Sequence, residues 1–113
     1  MKDDGLYLTH MLECITQIEE YTRNGKEAFM ASRMTQDAVV RNFEIIGEAT
    51  KRVSPSLKDA HPHVPWRRIA GLRDVLIHDY IRVELEQVWA LVIGPMRDLK
   101  RDLTTIRAIL EGA

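Results

Sequence analysis

Residues 35–53 have the sequence TQDAVVRNFEIIGEATKRV, and apolar side chains recur through this stretch at the spacing of an α-helix. Four of them share one side, as in a helix that covers a hydrophobic core: Val39, Phe43, Ile46 and Val53. Three further apolar residues lie off that face: Val40, Ile45 and Ala49. This surplus of apolar surface predicts a helical bundle that pairs with a second copy of itself as a homodimer.

The chain before this helix has a helical pattern as well. Apolar residues recur at helical spacing over residues 7–21, with Asp3 or Asp4 as a candidate N-cap. Asn24-Gly25 is a typical helix stop. Residues 26–32 then form either a helical turn or a loop.

The chain after this helix begins with Ser54-Pro55, a cap followed by proline at the first helical position. It predicts a short helix over residues 55–60. Residues 61–65, HPHVP, must form a connector, because two prolines this close interrupt a helix. The second of these prolines can start a helix that continues to Ile77 with Gly71 inside it, and such a glycine often lets another backbone come close.

The last part of the chain contributes two more helical stripes, one over residues 85–92 that is closed by Gly94-Pro95 and one over residues 96–110. No long segment alternates as a strand does, and no repeat has a solenoid period. The sequence therefore predicts an all-α fold, an antiparallel bundle of four to five helices, with residues 1–113 as a single domain.

Composition excludes few function classes. The net charge is −1, with 5 Lys/Arg against 9 Asp/Glu in residues 1–50 and 11 against 8 in residues 51–113. The basic excess lies around Arg67, Arg68 and Arg73, which permits contact with RNA but does not require it. The single cysteine, Cys14, is predicted to be a buried thiol. Neither a signal peptide nor a membrane-spanning run is present in the sequence, so a cytoplasmic protein is expected.

The strongest candidate for chemistry is the segment RDVLIHDY at residues 73–80. The guanidinium of Arg73 can hold a phosphate with two parallel donors. His78 supplies an imidazole, the one side chain whose unperturbed pKa lies near neutral pH, and Tyr80 offers a hydroxyl that can donate, accept or be modified. Together the three side chains could bind and cleave a phosphodiester without a metal.

Each of these side chains also has a structural interpretation. Arg73 could simply pair with Asp74 or Asp79, His78 could complement the dipole at a helix end, and Tyr80 could be an aromatic at the edge of the core. On one straight helix, Arg73 and His78 would stand about 140° apart. A loosened helix, or a two-fold dimer that brings both segments to one cleft, would let them converge.

Other features of the sequence give weaker indications of function. His61 and His63 flank a proline, but no cysteine or acidic cluster at ligand spacing completes a metal site, so we predict no metal and no cofactor. Trp66 and Trp89 are predicted to be core residues. Glu48 projects away from the Val39 face and is either solvated or part of a second interface.

Three stretches together resemble one known family: residues 41–52, RNFEIIGEATKR; residues 61–66, HPHVPW; and residues 71–80, GLRDVLIHDY. The chain is similar over nearly its whole length to the HepT-like toxins of the HEPN superfamily. Its third stretch contains their Arg-x4-His-x-Tyr pattern without departure.

The resemblance implies an all-helical homodimer that acts as a metal-independent ribonuclease toxin of a type VII toxin–antitoxin system. It implies that Arg73 and His78 cleave RNA, either tRNA or mRNA. It further implies an MntA-type nucleotidyltransferase antitoxin, which silences the toxin by AMPylation of Tyr80.

The residues themselves are also compatible with two other functions. One is a non-catalytic helical module that binds nucleotide or substrate for a minimal nucleotidyltransferase, with Arg73 only gripping phosphate. The other is a purely structural helical dimer.

Overall fold

The computed structural model describes residues 3–77 and 84–112, whose regular secondary structure is entirely helical, with no strand among them. The helices are α1 (Asp4–Thr22), α2 (Lys26–Ala31), α3 (Arg33–Arg52), α4 (Pro55–Ala60), α5 (Trp66–Ala70), α6 (Leu72–Ile77), α7 (Leu85–Ile93) and α8 (Pro95–Leu110). The all-α prediction is confirmed for this part of the chain. None of these helices has the length and apolar character that crossing a membrane requires.

Serines begin two of the helices. Ser54 accepts a hydrogen bond at its side-chain oxygen from the backbone N–H of Leu57 at 3.2 Å, which confirms the predicted cap of α4. Ser32 likewise accepts from the N–H of Thr35 at 3.2 Å, so α3 begins slightly earlier than its apolar pattern indicated. Gly25, with φ 92°, lies between α1 and α2, in a conformation that favours glycine.

The core is built on the packing of α3 against α1. The two helices run antiparallel, because the start of α1 meets the end of α3 through Asp4 and Ser54. Helix α8 is antiparallel to α1 on another side, where Lys100 near its start pairs with Glu19 near the end of α1 at 2.9 Å. Helix α1 is therefore antiparallel to both α3 and α8, as expected for the predicted antiparallel bundle.

Asp4 has a different role from the predicted cap. Asp3 occupies the N-cap position of α1 without a capping hydrogen bond from its side chain. Asp4 is buried and accepts hydrogen bonds from the backbone N–H of Ser54 at 2.8 Å and from its hydroxyl at 2.6 Å. Burial tends to raise the pKa of Asp4, but the two hydrogen bonds from Ser54 favour the carboxylate and the pKa lies below its ordinary value.

Most of the predicted core residues are buried. Val39, Phe43, Ile46 and Val53 are all at most 2% exposed, and Trp66 is buried too, whereas Trp89 is half-buried and packs its ring 5.4 Å from that of Phe29. Cys14 is buried as predicted; this burial, and secondarily the charge of Glu13, raise the pKa of its thiol.

The surplus apolar surface of α3 is partly used within the chain. Ala49 is buried, and Val40 and Ile45 are half-buried against the core. The off-face residues thus widen the contact of α3 with its own bundle. The homodimer stays a prediction.

The predicted helix from Pro65 to Ile77 is in fact two short helices, and this is a correction. Helix α5 ends at Ala70, and α6 begins at Leu72 after a turn at Gly71, whose N–H donates to the carbonyl of Arg67 at 3.1 Å. Glycine loses more backbone entropy in a helix than a residue with a side chain does, which favours an interruption at this position. The close backbone approach expected at Gly71 occurs instead at Gly47 of α3.

Candidate active site around Arg73

Arg73 lies in the first turn of α6, where its side chain is 60% exposed. Its Nε is 4.0 Å from Oε2 of Glu44 on α3. Asp74, one of the two predicted partners, is exposed and makes no ion pair with Arg73. The other, Asp79, lies outside the described residues.

Glu44 is the residue that sequence reasoning missed. Its side chain is only 17% exposed, which is unusual for a carboxylate. The carboxylate faces the Nε edge of Arg73, so the exposed guanidinium is attracted toward α3 from one side while most of its surface stays open to solvent. An ion pair this exposed contributes little to stability, so its main effect is on where the guanidinium lies.

Gly47 explains why α6 can lie against α3. A Cβ at this position would be 3.1 Å from the carbonyl oxygen of Ile69 and 3.5 Å from that of Ala70. The end of α5 therefore packs against bare backbone, and α6 starts beside α3 one turn of helix away from Glu44. Gly47 and Glu44 stand in the 41–52 stretch, so that stretch supplies both the close approach and the carboxylate.

His78 and Tyr80, the other two predicted site residues, lie outside the described residues. The convergence of Arg73 with His78, whether within one subunit or across a dimer, therefore stays a prediction. Arg67 and Arg68, which belong to the predicted basic excess, are both exposed on α5, the helix that leads into α6.

The His-Pro-His connector serves a structural purpose. The carbonyl of His61 accepts a hydrogen bond from Nε1 of Trp66 at 3.0 Å, and the rings of His61 and His63 lie 5.9 Å apart edge to face. Over residues 3–77 and 84–112, no group of three or more His, Cys, Asp or Glu side chains is placed to hold a metal. Glu48 is exposed and pairs with Lys51 at 3.4 Å, and both predicted alternatives, a solvated side chain and a second interface, stay predictions.

The sequence pattern described as "Ribonuclease HepT-like" matches residues 11–106. The chain belongs to the HepT-like ribonuclease family. This membership confirms the resemblance drawn from residues 41–52, 61–66 and 71–80, and it covers α3, α5 and α6, which together form the surroundings of Arg73.

Relatives of this HepT-like chain carry ribonuclease names. It is 41% identical to "Probable ribonuclease HepT" of Thermococcus cleftensis over 89% of this chain and 93% of that protein. It is 40% identical to "Gamma-glutamylcyclotransferase and putative RNase" of Methanocaldococcus jannaschii over 97% of this chain, but it spans only 50% of that longer protein. No solved structure gives a significant match.

Proposed function

We propose that this HepT-like protein is a metal-independent ribonuclease toxin whose site consists of Arg73, His78 and Tyr80. Its family and the ribonuclease names of its relatives support RNA as the substrate. The structural observation that carries the proposal is the exposed guanidinium of Arg73, with its Nε 4.0 Å from the mostly buried carboxylate of Glu44. A cation held in this way is suited to binding a phosphate.

The proposed reaction uses the nucleophile that RNA itself carries. His78 takes the proton of a 2′-hydroxyl, whose oxygen attacks the adjacent phosphorus. Arg73 stabilises the negative charge that develops on the phosphoryl oxygens. The bond to the 5′-oxygen breaks, that oxygen is protonated by an imidazolium, and the products are a 2′,3′-cyclic phosphate and a 5′-hydroxyl. In a homodimer, the second His78 is suited to be that acid.

The proposed off-switch is AMPylation of Tyr80 by an MntA-type nucleotidyltransferase antitoxin, as in a type VII toxin–antitoxin system. The tyrosine oxygen attacks the α-phosphorus of ATP, and pyrophosphate leaves. The added phosphate places a negative charge two residues from His78 and seven from Arg73, where it repels the RNA phosphate and competes for the guanidinium. In this proposal both proteins are cytoplasmic, and the toxin cleaves tRNA or mRNA.

A second candidate function is a non-catalytic module that presents nucleotide or substrate to the nucleotidyltransferase. The net charge of −1 favours it, because proteins that bind nucleic acid are generally more basic. In this alternative, Arg73 binds phosphate but no bond is cleaved.

Expression in a cell separates the two functions. We expect wild-type protein to arrest growth and to generate discrete new RNA ends, and we expect His78→Ala to do neither at equal protein level. Co-expression of the nucleotidyltransferase should suppress the arrest. Normal growth and unchanged RNA ends with the wild type would favour the non-catalytic module.

A further inference from the structure

A cavity of about 260 Å³ opens between the α3–α5–α6 side of the bundle and the α7–α8 side. Its wall is mostly apolar and includes Phe43, Leu72 and Leu91. Ligand pockets commonly measure about 300–1,000 Å³, so this cavity suits a ligand smaller than a typical drug. A single nucleobase suits this cavity, because it is small and flat and its faces are largely apolar.

The cavity shares a wall with the Arg73 site. Phe43 and Leu72 line the cavity, and the residues that follow them in the chain, Glu44 and Arg73, form the ion pair. Consecutive residues on a helix point about 100° apart, and their Cα atoms are about 3.8 Å apart. The cavity and the Arg73 site are therefore built on adjacent positions of the same two helices, α3 and α6, and one RNA strand is long enough to contact both.

The mouth of the cavity presents surfaces on which a base can stack. His63 and Arg68 line it, and both side chains are exposed. Imidazole rings and guanidinium planes are among the groups on which proteins stack unpaired RNA bases. Arg68 makes no ion pair with any described residue, so its guanidinium is available to a ligand.

The opposite side of the cavity carries a carboxylate. Asp102 of α8 lines the cavity with its side chain only 15% exposed, and its Oδ1 accepts a hydrogen bond from Nε of Arg101 at 3.3 Å. Its Oδ2 accepts no hydrogen bond within the described part of the chain. A carboxylate is a specific acceptor for the exocyclic amino group of cytosine, and adenine carries a comparable amino group, whereas uracil has none.

We propose that this cavity is a base-binding subsite that receives one unstacked nucleotide of the RNA substrate and prefers an amino-bearing base (adenine, cytosine or guanine) over uracil. The proposal rests on the ribonuclease function proposed above and names the feature of RNA that this site selects. Arg68 and His63 provide the stacking surfaces, and the carboxylate of Asp102 accepts a hydrogen bond from the amino group of the base.

The test is equilibrium binding of AMP, CMP and UMP to the wild-type protein and to paired variants. Leu91→Trp fills the cavity from its half-buried edge, and Ile93→Trp adds the same bulk to an exposed position of the same helix that does not line the cavity. We expect wild type and Ile93→Trp to bind AMP and CMP at least about tenfold more tightly than Leu91→Trp does.

A second pair of variants tests the role of the Asp102 carboxylate. Asp102→Asn should remove the preference for AMP and CMP over UMP, whereas Asp37→Asn should retain it, because Asp37 also pairs with an arginine, Arg33, but does not line the cavity. Absence of nucleotide binding at millimolar concentration, or binding that Leu91→Trp leaves unchanged, would overturn the subsite even if RNA is cleaved. Binding as expected without RNA cleavage would instead overturn the ribonuclease function alone.

Discussion

Nε of Arg73 on α6 lies 4.0 Å from Oε2 of Glu44 on α3, so an exposed cation is paired with a carboxylate that is only 17% exposed. The pair joins residues that are 29 positions apart in sequence. It ties the segment that carries the proposed chemistry to the central helix of the bundle.

Replacing Glu44 with Gln should affect activity more than stability. The change removes the charge beside Arg73 but keeps the shape of the side chain, so we expect the unfolding free energy to change by less than about 1 kcal/mol. The rate of RNA cleavage should fall several-fold, because the guanidinium is no longer drawn to one position. Glu48→Gln is the matched control, since Glu48 lies on the same helix and pairs with Lys51 instead of Arg73. Equal rates for the two variants would show that Glu44 does not position Arg73.

Replacing Gly47 with Ala should separate α5 from α3. A Cβ 3.1 Å from the carbonyl of Ile69 forces the backbone apart, at a cost of roughly 1–3 kcal/mol, against about 1 kcal/mol gained in helix propensity. Gly5→Ala, whose new Cβ would have no atom from another part of the described chain within 4 Å, should be neutral or slightly stabilising. Urea unfolding measures both, and a Gly47→Ala protein as stable as Gly5→Ala would refute the tight contact.

Replacing Asp4 with Asn should lower the stability at neutral pH by about 1–3 kcal/mol, because it removes a buried carboxylate that accepts two hydrogen bonds from Ser54. The folded-state pKa of Asp4 lies below its ordinary value of 3.8. The stability it contributes is therefore complete above that pH and is lost as the pH falls through the lower folded-state pKa.

The stability difference between wild type and Asp4→Asn should accordingly shrink in acid. Asp3→Asn serves as the control, because Asp3 is exposed and makes no capping hydrogen bond. A difference that stays constant from neutral pH down to pH 2 would contradict the lowered pKa of Asp4.

If the proposed off-switch is correct, replacing Tyr80 with Phe should block transfer of AMP to this protein by the proposed nucleotidyltransferase partner, because the acceptor oxygen is gone. Mass spectrometry after incubation with ATP and the partner should detect a single site of modification in the wild type. Tyr21→Phe, at a tyrosine that is 42% exposed, should be modified like the wild type. AMP on the Tyr80→Phe protein would place the acceptor elsewhere.

Local patterns in the sequence predicted the helices well, because an apolar stripe, a serine cap or a Gly-Pro pair depends on residues within a few positions. The N-cap at Ser54 and the end of the first helix before Asn24-Gly25 could be predicted because both depend on such local residues. The break at Gly71 was missed, because whether a glycine interrupts a helix depends on what packs against it.

Arg73 could be singled out by its residue type and spacing, but its partner could not. Asp74 is adjacent in sequence, whereas Glu44 reaches Arg73 only because Gly47 lets the end of α5 approach α3. Side chains that meet through tertiary packing leave no periodic signal in one sequence. The presence of Glu44 and Gly47 in the stretch that carries the family resemblance is the only sequence signal that could have found them.

The most direct test of the account is cleavage of total RNA by purified protein in the presence of a chelator, followed by mapping of the new ends. We predict discrete fragments with 5′-hydroxyl and 2′,3′-cyclic phosphate ends for the wild type and for His10→Ala, an exposed histidine on α1. Arg73→Ala and His78→Ala should each lower the rate at least about 100-fold without unfolding. Cleavage that survives both substitutions, or that needs a metal, would contradict the account.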